Sequence, residues 1–122
     1  MNNKNVAVIG ASNKPDRYSY KAVVLLREKG YTPYPVNPRL SDLDGIAVYA
    51  SMADIPAPID TVTLYLSAEN QRLMAETILK SGARRVIFNP SAENPDLAQR
   101  LEHAGIEAVN ACTLVTLRTG QF

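Results

Sequence analysis

The sequence predicts an α/β domain of three layers: a doubly wound, mainly parallel sheet of about five strands with helices on both faces. Three observations carry this expectation. Residues 6–9 form a short continuous apolar run, which suits a strand buried on both faces, and 61–66 and 85–88 read as further strands rich in β-branched, apolar and aromatic residues. Segments with apolar residues at helical spacing lie between them. Single glycines, Gly30, Gly82 and Gly105, stand where those helices should stop. Strand, helix, glycine, strand is the rhythm of right-handed crossovers between parallel strands. A Rossmann-like sheet is the natural form of such a chain.

The elements follow in order. Residues 6–9 form the first strand, and the small-residue turn from Gly10 to Asp16 follows it. Tyr18, Ala22, Leu25 and Leu26 then recur at helical spacing, with Lys21, Arg27 and Glu28 on the other side. Tyr18 reads as the first core anchor of this helix rather than a base-stacking ring. A second strand covers 32–36, where Pro33 and Pro35 leave one strand edge without N–H donors. The other edge is expected to lie against the first strand. Residues 37–45 read as a loop and 47–49 as a brief strand. Residues 51–55 read as a capped helical turn.

The run 61–66 is the next strand, and Ser67 is placed to cap a helix with Glu69 in its first turn. That helix is expected to pack Asn70, Leu73, Met74, Thr77 and Ile78 on one side. After the strand at 85–88, Asn94-Pro95 is an N-cap followed by a first-turn proline. Leu97, Leu101 and Ala104 form the buried stripe of that helix. A last strand at 107–109 and a closing helix at 112–117 complete the expected order.

Bulk properties narrow the function classes. The 122 residues are read as one domain, 1–122, with 46% hydrophobic and 20% charged residues, ordinary globular values. Thirteen Lys plus Arg against twelve Asp plus Glu leave a net charge of +1, which predicts neither a nucleic-acid nor a membrane-surface partner. Cys112 is the single cysteine, so no internal disulfide is expected and a reducing, cytoplasmic setting follows. No signal-peptide pattern opens the chain. No apolar run approaches the roughly 20 residues of a membrane span.

In a sheet of this kind a ligand lies across the C-terminal strand ends, near the point where the strand order reverses. The candidate binding residues are therefore those after each strand. They are Gly10, Ala11, Ser12, Asn13, Lys14 and Arg17; Asn37, Pro38 and Arg39; Tyr65, Leu66 and Ser67; and Asn89, Pro90 and Ser91. A small-residue turn between a strand and a helix presents backbone N–H groups to an anion, which suits a phosphate. The dinucleotide fingerprint needs three glycines and a carboxylate after the second strand. Here Gly10 stands alone, and the second strand ends in Val36-Asn37-Pro38-Arg39 without an acid. An arginine there suits a phosphorylated ribose, since a guanidinium grips phosphate by two parallel hydrogen bonds. The residues thus leave NADP or coenzyme A, both of which carry a ribose phosphate.

The stretches Val8-Ile-Gly-Ala-Ser-Asn-Lys-Pro15, Tyr34-Pro-Val-Asn-Pro38 and Val48-Tyr-Ala-Ser-Met-Ala-Asp-Ile-Pro56 resemble the small stand-alone CoA-binding domain family. That family is similar to the N-terminal CoA-binding domain of the succinyl-CoA synthetase alpha subunit. The resemblance implies coenzyme A, or an acyl-CoA, as cofactor. It implies that the turn after the first strand holds the coenzyme's phosphates and that 37–39 lie beside its adenosine part. Tyr65 to Ser67 and Asn89 to Ser91 would complete the crevice. Many members carry an Arg-Arg pair where this chain has Leu66-Ser67, and a Trp-Gln segment where it has residues 88–94. The near-terminal cysteine is kept as Cys112, with Asn110 where an Asp is usual.

No catalytic or metal-binding residue is assigned. There is no paired-carboxylate arrangement, no Cys/His metal spacing and no nucleophile elbow. Cys112 is read as a small apolar residue rather than a reactive thiol, although a helix N-terminus would favour its thiolate. His103 suits the C-terminal dipole of its helix, and capping accounts for Glu93 and Asn94. The expected function is a CoA-binding carrier, sensor or partner module without catalysis of its own. The alternatives are an NADP-binding reductase-like protein and a ligand-free interaction module. A homodimer is one arrangement open to a domain of this size.

Overall fold

The computed structural model describes residues 3–122. The chain alternates strands and helices from the first element. Strand β1 (Asn5–Ile9) leads to helix α1 (Tyr18–Glu28) and strand β2 (Thr32–Val36). A small hairpin, β3 (Asp42–Leu43) with β4 (Ile46–Ala47), and a single 3-10 turn at Met52–Asp54 bring the chain back to β5 (Thr61–Leu64). A 3-10 helix at Glu69–Met74 runs into α2 (Ala75–Leu79). Then come β6 (Arg85–Phe88), α3 (Pro95–His103), β7 (Glu107–Asn110) and α4 (Thr113–Arg118).

The five long strands form one parallel sheet in the order β2-β1-β5-β6-β7. The order reverses between β1 and β5, so the C-terminal ends of these two strands flank the topological switch point. Alternation along β1 explains the layers. Ala7 and Ile9 join the core beneath α2 and α3, which supply Ala75, Ile78, Leu97 and Leu101. Val6 and Val8 join the core beneath α1 and α4, which supply Val23, Leu26 and Leu117. Leu26, Leu64 and Leu101 are wholly buried, and each such side chain contributes roughly 2 kcal/mol by leaving water. This is the Rossmann-like three-layer fold expected from the sequence.

Strand β2 is an edge strand paired with β1, with Ala7 opposite Tyr34. Its outer edge makes one bridge, where the Tyr49 N–H donates to the Pro35 carbonyl at 2.9 Å. The two prolines therefore sit where their missing donors cost least. Asn94 caps α3, its Oδ1 accepting from the Leu97 N–H at 3.1 Å, with Pro95 in the first turn. Ser51 Oγ accepts from the Ala53 N–H and opens the capped helical turn expected at 51–55, which takes 3-10 form at Met52–Asp54.

Several expectations are corrected. Tyr18 is 70% exposed and does not anchor α1; the buried stripe is Ser19, Ala22, Val23 and Leu26, which share a face at helical spacing. Part of the loop expected at 37–45 forms the β3–β4 hairpin, and the brief strand lies at Ile46–Ala47. Strand β5 ends at Leu64 rather than at 66. Ala104 is exposed because α3 ends at His103; Ala98 packs on the core instead.

The largest correction concerns the segment after β5. A 3-10 turn has three residues and rotates its side chains differently from an α-helix. Across the junction of this 3-10 stretch with α2, Gln71, Ala75 and Ile78 point inward, while Asn70 and Leu73 are exposed and Met74 and Thr77 half-buried. Gln71 tolerates burial because its side chain is fully used. Its Nε2 donates to the carbonyls of Leu66 (2.8 Å) and Ala92 (2.7 Å), and its Oε1 accepts from Asn94 Nδ2 (2.9 Å).

Candidate strand-end site

The switch point carries an open cavity of about 640 Å³. Its floor is the end of β1, at Ile9 and Gly10. One wall is the end of β2 with the 3-10 turn, giving Pro38, Arg39, Ser51 and Met52. The other wall is the segment after β5, giving Leu66, Asn70, Leu73, Met74 and Thr77. Arg39 is the one charged side chain among the lining residues.

Gly10 turns the chain out of β1 with φ +87°. The N–H groups of Gly10 and Ala11 both donate to the Val36 carbonyl, at 3.1 and 3.2 Å. These two amides close the gap between the ends of β1 and β2 and are not offered to a ligand. The amides of Ser12 and Asn13 have no acceptor among the described residues. Ser12 Oγ accepts from the Lys14 N–H at 3.1 Å and holds the turn tight. Helix α1 begins at Tyr18; its N-cap residue Arg17 supplies no side-chain cap and its first turn holds no acidic residue, so its N-terminal dipole end is free to favour an anion. Lys14 and Arg17 are exposed on this turn.

Asn37 joins the two strand ends. Its Nδ2 donates to the Ala11 carbonyl at 2.7 Å, and its Oδ1 accepts from the Arg39 N–H at 2.8 Å. The backbone that carries the Arg39 side chain is thereby fixed, while the guanidinium end is exposed.

The structure brings Gly10, Asn37, Pro38, Arg39 and Leu66 to one cavity, with the Ser12 and Asn13 turn following directly on Gly10. It does not bring all the expected residues there. Tyr65 points to the opposite face and packs against the core under α1 and α4. Successive strand residues alternate faces, so Leu66 takes the cavity side and Tyr65 cannot. Asn89 is 2% exposed and wholly engaged inside the fold. Its Nδ2 donates to Thr63 Oγ1 and the Leu64 carbonyl, and its Oδ1 accepts from the Thr113 N–H. It links β5, β6 and α4 beneath the strand ends. Ser67, Pro90 and Ser91 are exposed outside the cavity lining, and Ser91 completes a tight turn with φ +77°.

The sequence reading missed Ser51, Met52, Asn70, Leu73, Met74 and Thr77 as lining residues. The spacing of 70, 73, 74 and 77 does mark one continuous face. Periodicity cannot say whether such a face meets a core or a cavity.

Tyr65 has a consequence for stability. Its hydroxyl is buried and has no hydrogen-bond partner among the described residues, with the hydroxyls of Thr63 and Thr113 beside it. Burial pushes the phenol up to about 12. In the unfolded chain it ionises near pH 10. The neutral phenol thus supports folding fully below about pH 10, and that support is lost as pH rises toward about 12. The loss reaches about 3 kcal/mol at most. Urea unfolding followed from pH 9 upward should show a shallower alkaline fall for Tyr65→Phe than for the wild type. Equal slopes would contradict the assignment.

Among the described residues no group of three or more His, Cys, Asp or Glu could hold a metal ion. No helix among the described residues is long and apolar enough to cross a membrane.

Comparison with known proteins meets this geometry. The sequence pattern of a family described as CoA binding domain matches residues 4–118. Protein YneT of Bacillus subtilis (strain 168) is 30% identical over 102 residues, covering 84% of this chain and 76% of that protein. The alpha subunit of acetate–CoA ligase (ADP-forming) II of Pyrococcus furiosus is 31% identical over 87 residues, 70% of this chain but 18% of that subunit. The solved structure of a hypothetical protein from Pyrococcus horikoshii OT3 superposes with a TM-score of 0.90 at 31% identity, covering 96% of this chain and 83% of that one.

Proposed function

We propose a function from one premise: the chain belongs to the CoA binding domain family. Its switch-point cavity holds coenzyme A or an acyl-CoA, and the chain works by binding rather than by chemistry on the ligand. The pyrophosphate meets the free amides of Ser12 and Asn13 and the uncapped start of α1. Arg39 meets the ribose phosphate, and the adenosine part lies in the cavity beside Pro38. The single observation that supports this most is the pairing of an acid-free β2 end carrying Arg39 with the unengaged Ser12 and Asn13 amides. Each is suited to one phosphate group of the same ligand.

A carrier, sensor or partner module fits this site better than an enzyme. Its lining residues offer Arg39 as their one charge, with no acid–base pair and no nucleophile beside a base. Calorimetric titration of the purified chain with CoA, acetyl-CoA, NADP and NAD tests the proposal. Binding of CoA or acetyl-CoA with no heat from NAD is expected. Clear NADP binding with none for either CoA form would reject it.

A further inference from the structure

We propose that Leu73 is a specificity-determining residue that covers one face of the purine ring at the nucleotide end of the coenzyme. This rests on reading the switch-point cavity as the coenzyme site. Leu73 is 98% exposed, the most exposed of the large apolar side chains among the described residues, and it belongs to the cavity wall together with Leu66 and Met74. An exposed leucine alone says little; its position does. The exposure is imposed by its neighbour. Gln71, two residues earlier, is wholly buried and held by the Leu66 and Ala92 carbonyls and Asn94. With Gln71 locked inward, the 3-10 trace of Glu69–Met74 holds Leu73 outward, beside the mouth of the cavity.

The occupant follows from Arg39 in the same cavity. A phosphate held by Arg39 sits on the ribose, and the base is attached to that same ribose. The base must then lie between the cavity walls. Leu66, Leu73 and Met74 offer an apolar face to its ring, with the Asn70 and Thr77 side chains available to its polar edge. The pantetheine arm starts on the far side of the pyrophosphate, beyond the Ser12 turn.

The test uses the full chain as wild type, Leu73→Ala and Leu73→Met. Each is titrated with CoA, and with adenosine 3′,5′-bisphosphate and 4′-phosphopantetheine in competition against CoA. Leu73 touches no core, so all three proteins should melt alike. Loss of the covering carbons in Leu73→Ala should weaken CoA and the adenosine bisphosphate by the same factor, about fivefold. Leu73→Met should restore both to within about twofold, and phosphopantetheine should not change. Unchanged adenosine bisphosphate binding, with or without loss of phosphopantetheine, would overturn the role of Leu73. A wild type that binds no CoA would overturn the coenzyme reading itself, before any variant is compared.

Discussion

Gly10→Ala is expected to destabilise the protein by about 3 kcal/mol and to lower its Tm by about 10 °C. Two effects add. A φ of +87° is a conformation that side chains with a Cβ adopt only with strain. The added Cβ would also lie 3.0 Å from Leu66 Cδ2 and 3.3 Å from the Tyr65 carbonyl carbon. Gly30 supplies the control, because its φ is +88° yet nothing lies within 4 Å of an added Cβ. Gly30→Ala should therefore cost about 1 kcal/mol, from backbone strain alone. Thermal melts of the two variants separate the terms, and equal losses would show that Leu66 does not press on Gly10. The damage is also functional in expectation. Pushing Leu66 away from Gly10 displaces the cavity floor and the Ser12 turn that follows it, so CoA affinity should fall in Gly10→Ala and hold in Gly30→Ala.

Arg39→Ala should weaken CoA by about 30-fold while leaving dephospho-CoA unchanged, since a charge-assisted hydrogen-bond pair to phosphate contributes about 2 kcal/mol. The difference should shrink as salt is raised, because the guanidinium is exposed. The melting temperature should not move. The Arg39 N–H, which holds the loop through Asn37 Oδ1, is kept by alanine. Equal losses for CoA and dephospho-CoA would remove Arg39 from the ribose phosphate.

Much of the sheet was legible because its signals are local. The β-branched run of β1 and the prolines of β2 fix which strand is buried and which is at an edge. The Asn94-Pro95 cap fixes the start of α3 in the same way. The phosphate-suited turn and Arg39 were legible because each departs from the dinucleotide pattern at a defined position. What stayed hidden depends on distant partners. Nothing near Gly10 in sequence shows that the Val36 carbonyl takes its amide and that of Ala11. Asn89 reads as a loop residue at a strand end, and its burial comes from Thr63, Leu64 and Thr113, all more than twenty residues away. The wall after β5 was misread for the same reason. Gln71 buries itself through the Ala92 carbonyl and Asn94, and that choice sets Leu73 outward.

A crystal structure of the chain grown with coenzyme A tests the central claim most directly. The account predicts the pyrophosphate on the amides of Ser12 and Asn13, the ribose phosphate against Arg39, and the adenine between Pro38 and the wall carrying Leu66 and Leu73. Coenzyme bound away from the ends of β1 and β2, with Arg39 and the Ser12 turn untouched, would contradict it.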